Sequence, residues 1–380
     1  MKKQDIAGII VYVIILALAA VFGLVVIREF ASKSGMNTGI FILFIAGAIV
    51  TGVLFNSILY ELAHMLGAKI GGYKITSVSI LGFTWFKEEN KAKFRFASFD
   101  GLTGETKILP KENRKKPSNP VPYLIMGTCL YAIEVVIVVF LFSIFTRNGA
   151  PVSQNRIAYF LLIVMAVGGV IVFYNIIPFQ LDSLTDGYRL RLVSGKKNKE
   201  AFNKMLLGET TTESTEEENA EEETSFSNDI KLNQMYVCLN EEKYIEAEAL
   251  ADEIIESASN NKKISHRTVL ETRANKIFLI FMNKEFEVAR TSIDESLSLH
   301  DRKELSEESG LPFLRAYALV SALLDRSRSE CVRTLDKVYK SYKRTPEAKR
   351  PLESKLFNKA LDLIIEKHPD WNVGDYKINW

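Results

Sequence analysis

The chain has 380 residues, 47% of them hydrophobic, and a formal net charge of +2. So small a charge balance, with no nucleic-acid motif, excludes a broadly basic nucleic-acid binder, and the length allows two or three domains. Three scattered cysteines, Cys129, Cys238 and Cys331, form no CxxC pair and no disulfide framework, as fits a reducing compartment.

The averages hide a division between an apolar first half and a charged second half. Four apolar runs, 6–27, 39–66, 123–145 and 157–179, are each near or above the roughly 20 residues a helix needs to cross about 30 Å of hydrocarbon. Four such runs predict membrane helices rather than the buried helices of a water-soluble core. The first is longer than a signal-peptide core and no clear cleavage site follows it, so it reads as a retained helix. Lys and Arg gather in 72–122 and again from Arg189 to Lys199, whereas 28–38 and 146–156 are short and poor in them. With four spans, this asymmetry puts the basic segments and both termini in the cytosol; the expected location is the plasma membrane of a bacterium.

Within 73–110, "YKITSVSILGFTWF" and "KAKFRFASF" alternate or run apolar in strand fashion around the turn-like "KEEN". They predict a small β-sheet, and Phe83, Trp85 and Phe86 suit a position at the membrane surface. Residues 209–225, "ETTTESTEEENAEEETS", are acidic and lack large apolar side chains. Such a stretch cannot bury enough surface to fold and is expected to be the centre of a flexible linker, 201–226.

Beyond it the pattern is amphipathic. It predicts helical hairpins at about 227–258, 265–299 and 309–342 and a last helix at about 347–367. Two junctions, "LNEEKYIEAEAL" and "MNKEFEVARTSI", each place an aromatic, Tyr244 or Phe286, three residues before an alanine, Ala247 or Ala289. This resembles degenerate tetratricopeptide-like repeats, with an interval of 42 residues instead of about 34; a generic helical bundle is the alternative. The expected fold is mainly α: a four-span membrane domain over 1–200 with a β insertion at 73–110, the linker 201–226, and a soluble helical domain over 227–380.

The second apolar run ends in "YELAHMLGAKIGG", residues 60–72. "YELAH" matches the zinc-protease signature H-E-x-x-H at every fixed position except the first. In that signature two histidines four apart share one helix face about 6 Å apart and bind the metal, and the glutamate polarises a metal-bound water. Glu61 and His64 stand at the base and second-ligand positions. After the fourth run comes "NIIPFQLDSLTDGYRL", residues 175–190.

Together the two motifs resemble the site-2 protease family of intramembrane zinc metalloproteases over roughly residues 39–192. That family pairs H-E-x-x-H on one membrane helix with an Asn-Pro…Asp-Gly motif after a later one. The resemblance implies Asp186 as a third zinc ligand, with Asn175, Pro178 and Gly187 supporting the site and Asn175 bracing an extended segment. Asp182, which no glycine follows, is a second candidate. The β-prone loop also looks like a membrane-associated β region of that family. Both motifs fall at the cytosolic ends of spans running in the same direction, so they are expected to meet at one depth.

Tyr60 stands where the first histidine ligand belongs. A phenol has a pKa near 10 and must lose its proton to bind zinc well. His64 and Asp186 leave the set one short of the usual three. His266, His300 and His368 lie beyond the acidic stretch; Cys129, in the third span, is the other nearby donor type. Glu134 sits near the middle of the third span, where carboxylates are functional candidates; the alternative is a protonated Glu bonded to a neighbouring helix, near Asn56.

Two functional classes follow. The first is a catalytically degenerate member that binds membrane-spanning clients, and a cytosolic protein partner through its helical repeats, with no cofactor. The second is an active zinc enzyme that cleaves unwound transmembrane substrates near the cytosolic face, with Glu61 as general base and Tyr60 as ligand or oxyanion donor. A transporter using Glu134 as proton carrier is a weaker third, since no internal repeat is present.

Overall fold

The computed structural model describes residues 3–88, 91–96, 103–111, 117–147, 150–178, 185–208, 224–260, 264–345 and 349–378. The chain is mainly helical and divides into two compact units, Met1–Glu200 and Ala201–Trp380.

Among the described residues, the first unit holds four helices long and apolar enough to cross a membrane: α1 (Lys3–Ser34), α2 (Thr38–Gly71), α3 (Val121–Phe145) and α4 (Val152–Ile176). Their large aliphatic side chains face outward; Leu24, Leu43 and Val136 are each exposed, as lipid-facing positions require. The Asn37 side chain starts α2 by accepting from the Ile40 amide at 2.9 Å, and Gly72 ends it in the left-handed region at φ 88°. At 34 residues α2 is about 50 Å long, more than a bilayer core needs. α1 is tied back where Arg156 donates from Nη2 to the Ser34 carbonyl at 2.9 Å, satisfying a last-turn acceptor. Phe30 stacks on Tyr159 at 4.7 Å in the core between α1 and α4.

The region expected to be a β insertion is a four-stranded antiparallel sheet, in the order β3-β2-β1-β4: β1 (Tyr73–Ile80), β2 (Phe83–Glu88), β3 (Lys91–Phe96) and β4 (Gly104–Pro110). The stretch read as continuous from Tyr73 to Phe86 breaks at Leu81 and Gly82, which take φ 50° and 90° and turn the chain into a hairpin. Glu88 pairs with Lys91 at the other end of β2; residues 89 and 90 of "KEEN", where the turn was expected, lie outside the described residues. Phe83, Trp85, Phe94 and Phe96 occupy one face of β2 and β3 through the pairs Phe83–Phe96 and Trp85–Phe94, and all four are exposed. Aromatic cross-strand pairs of this kind stabilise a hairpin, yet they leave this one with an outward apolar face.

After α4 come α5 (Asp186–Leu192) and α6 (Lys196–Gly208), the second of which runs across the unit boundary. The expected linker therefore began too early. Residues 201–208 are helical, Phe202 is buried against the Phe226 ring at 5.4 Å, and Asn233 donates to the Met205 carbonyl at 3.0 Å. Its apolar residues, Ala201, Phe202, Met205, Leu206 and Leu207, give this segment a face that can pack. The acidic stretch 209–223 lies outside the described residues.

The second unit is built of helix pairs: α7 (Ser227–Asn240) with α8 (Tyr244–Asn260), and α9 (His266–Asn283) with α10 (Phe286–Ser296). α11 (Leu299–Glu307) and α12 (Leu311–Leu319) follow, with a π-helical turn over Val320–Leu324, then α13 (Arg328–Leu335), α14 (Val338–Arg344) and α15 (Arg350–Lys367). Ala247 and Ala289 are fully buried. Tyr244 meets Phe278 edge-on at 6.0 Å and Phe286 stacks on Phe281 at 6.2 Å, so each ring packs against α9. Cys331 is fully buried, and burial pushes its thiol up to about 11. At pH 8 such a thiol is ionised to about one part in a thousand, against roughly a quarter for an ordinary one. Maleimide labelling of the folded chain at pH 8 is therefore expected to spare Cys331 until denaturant is added; rapid labelling without denaturant would contradict its burial.

Candidate functional site

The buried positions of α2 change character along its length. Ala48 and Gly52 are followed by Asn56, Ser57, Tyr60, Glu61 and His64, all within the buried face. Steps of three and four keep these polar side chains on the inner side. Each must then find a partner, because an unpaired polar group inside hydrocarbon is costly.

Tyr60 finds Asp186. Its hydroxyl donates to Asp186 Oδ2 at 2.6 Å, joining residues 126 apart, and both side chains are buried. The two sequence motifs thus converge as expected. His64 Nε2 lies 3.1 Å from the same carboxylate oxygen, but out of line, so the buried ring nitrogen has no hydrogen-bond partner. The distance marks a contact and the geometry decides that it is not a bond. Tyr60 meets the His64 ring edge-on at 4.6 Å, and the Tyr123 ring lies 5.0 Å from it.

Glu61 turns elsewhere. Its Oε2 accepts from Thr106 Oγ1 at 2.6 Å, on β4, and Tyr123 donates from its hydroxyl to the Thr106 carbonyl at 2.8 Å. The residue in the general-base position is thus held by the sheet. A Cβ at Gly104 would stand 2.7 Å from Glu61 Oε1, so the strand comes close enough to cap the carboxylate. Thr106 and Tyr123 were not foreseen; neither carries a local signal, since a threonine in a strand and a tyrosine entering a span are ordinary.

α5 is positioned from its first turn. Thr185, its N-cap, accepts from the Tyr188 amide at 3.2 Å and donates to the Ile177 carbonyl at 2.6 Å. Thr-Asp-Gly opening a helix is a readable cap, so this residue could have been found. Pro178 follows Ile177, which is extended (ψ 131°), as a residue before proline prefers; the helix stops and the chain is free to turn. A Cβ on Gly187 would stand 1.8 Å from the Ile176 carbonyl oxygen, so glycine alone lets α5 seat against the end of α4.

Several expectations need correction. Asn175 donates to the Ile171 carbonyl of its own helix at 3.1 Å, where a brace on an extended segment was expected. Asn56 gives both amide protons to backbone, the Gly52 and Val164 carbonyls at 2.9 Å each. It therefore welds α2 to α4 and does not donate to Glu134, whose Oε2 is buried without a partner. Cys129 is exposed, because it falls off the inward seam of Tyr123, Gly127 and Glu134, and so cannot complete a metal site. Asp182 lies outside the described residues.

A zinc site fits these residues poorly. His64 Nε2 and the Asp186 carboxylate are suitable donors, and the unpartnered nitrogen is what an absent ligand would leave. Among the described residues, however, no third His, Cys, Asp or Glu joins them, and the Tyr60 proton is already given to Asp186. Two donors fall short of the three protein ligands that zinc catalysis uses. Compared with protein-family models, curated proteins and solved structures, the chain finds no match.

Proposed function

We propose that the chain is a site-2-protease-like integral membrane protein of degenerate chemistry, one that binds membrane-spanning clients without hydrolysing them. The observation that carries this reading is the bond from Thr106 to Glu61: the group that would activate water serves instead as an anchor for β4. The meeting of "YELAH" with Asp186-Gly187 supports the family resemblance, and the Tyr60–Asp186 bond supports its degeneracy. The outermost place of β3 in the described sheet and the exposed aromatic face beside it suit an extended client segment laid down as an added strand. The helix pairs of the second unit suit a cytosolic protein partner, as tetratricopeptide-like surfaces do.

The alternative, an active zinc metalloprotease with Glu61 as general base, draws on the unpartnered His64 nitrogen. One experiment separates the two. A photoreactive residue at Phe94, in the full chain in its own membranes, is expected to cross-link intact membrane-spanning polypeptides, equally in the native chain and in Glu61→Gln. Shortened client fragments that vanish in Glu61→Gln would establish the enzyme and sink this proposal.

A further inference from the structure

We propose that the Tyr60 phenol takes the place of a metal ion as the cross-link between α2 and α5, and that it closes the cluster to divalent cations. The inference rests on reading the cluster as a degenerate metal centre and adds what now holds that centre together.

The separations make the case. Zinc holds nitrogen and oxygen donors at about 2.0–2.1 Å, so two ligands of one tetrahedral ion stand about 3.3 Å apart. His64 Nε2 and Asp186 Oδ2, at 3.1 Å, are close to that spacing. Tyr60 Oη and Asp186 Oδ2, at 2.6 Å, are too close for it and have the spacing of a hydrogen bond to a carboxylate. The proton between them does what a cation would do: it neutralises repulsion between two oxygens and ties two distant segments. Other donors nearby are engaged or turned away. Glu61 and Tyr123 both bond Thr106, and Cys129 faces outward. A Cβ at Gly127 would stand 2.4 Å from the Tyr60 ring, so α3 closes on the ring's flank and holds it over Asp186.

The arrangement implies that one substitution exchanges one cross-link for another. With Tyr60→Phe the hydroxyl is lost and nothing replaces it. With Tyr60→His two imidazoles four residues apart on α2 face Asp186, a three-ligand set that can hold zinc with a water as the fourth.

The test uses the full chain in lipid nanodiscs: native, Asp186→Asn, Tyr60→Phe, Tyr60→His and Tyr60→His/Asp186→Asn, each confirmed monodisperse. Metal content after dialysis against zinc, and Tm with zinc or chelator, are measured. The native chain is expected to hold no stoichiometric zinc and to melt at one temperature with zinc or chelator. Tyr60→Phe is expected to melt about 4–8 °C lower and to be equally indifferent. Tyr60→His is expected to bind one zinc per chain, with Tm rising when zinc is added, and to lose both effects with Asp186→Asn.

One zinc per native chain, removed by Asp186→Asn, would overturn the proposal. So would an unchanged Tm in Tyr60→Phe, or a folded Tyr60→His that binds no metal. Should Tyr60→His fail to fold, the native metal content and the Tyr60→Phe melt still decide. Client fragmentation at Phe94 would sink the non-hydrolytic reading, whereas an unaltered Tyr60→Phe melt would remove the cross-link alone.

Discussion

Glu353→Ala is expected to destabilise the second unit by about 3–5 kcal/mol, because it strands a buried guanidinium. Arg315 of α12 is fully buried and its Nη1 donates to Glu353 Oε2 of α15 at 2.9 Å. Its Nη2 donates to Asn275 Oδ1 of α9 at 2.6 Å, and the group lies 4.9 Å over the Phe278 ring. Asn275 in turn donates to the Tyr236 hydroxyl of α7 at 3.3 Å, and that hydroxyl donates to Glu271 at 2.6 Å. Four helices therefore meet in one polar network inside an otherwise apolar core. Arg315 Nε remains unpartnered even so, and removing the carboxylate that bonds the guanidinium directly leaves little to offset desolvation.

The double variant Arg315→Met with Glu353→Leu is expected to be far less damaging than either single change, since it removes both charges and keeps the volume. Amide exchange over Leu311–Leu319 in the full chain reads the outcome. Equal protection in the native chain and Glu353→Ala would show the pair to be dispensable, and a double variant worse than both singles would show that the network itself holds the core.

Gly187→Ala is the second large effect, at about 3 kcal/mol or more in the first unit. The added methyl would meet the Ile176 carbonyl oxygen at 1.8 Å and its carbon at 2.4 Å, both backbone atoms that no rotamer change can move. α5 must then shift, carrying with it the Thr185–Ile177 and Tyr60–Asp186 bonds. Gly23→Ala is the control. Nothing lies within 4 Å of its added methyl, and alanine in a helix interior is favoured over glycine by roughly 0.5–1 kcal/mol. A thermal scan in which Gly187→Ala melts with Gly23→Ala would refute the close seating of α5.

Some of this architecture is written in local pattern. A run of about 20 apolar residues has no stable home but lipid or a large core, so the four long helices could be read directly. Amphipathic periodicity located α7 to α10 and α15 within a few residues, because each buries one stripe against its neighbour, but it missed α11 and read α12, α13 and α14 as one hairpin. Strand alternation located the sheet but missed β4, whose "GETKILP" alternates too briefly to stand out. Composition misjudged 201–208, where Ala201, Phe202, Met205, Leu206 and Leu207 give the end of a helix with a basic start enough apolar surface to pack.

The pairing of polar side chains was beyond such reading. Residue identity put Tyr60, Glu61 and His64 on one helix and required each to find a partner. Only the packed chain decided that Tyr60 would meet Asp186, that Glu61 would meet Thr106, and that Arg315 would meet Glu353, across 126, 45 and 38 residues respectively. Helix and strand periods express which face is buried, a matter of neighbours along the chain. A hydrogen bond between distant residues depends on distances of a few tenths of an ångström, and these exist only once α5 and β4 have closed on α2.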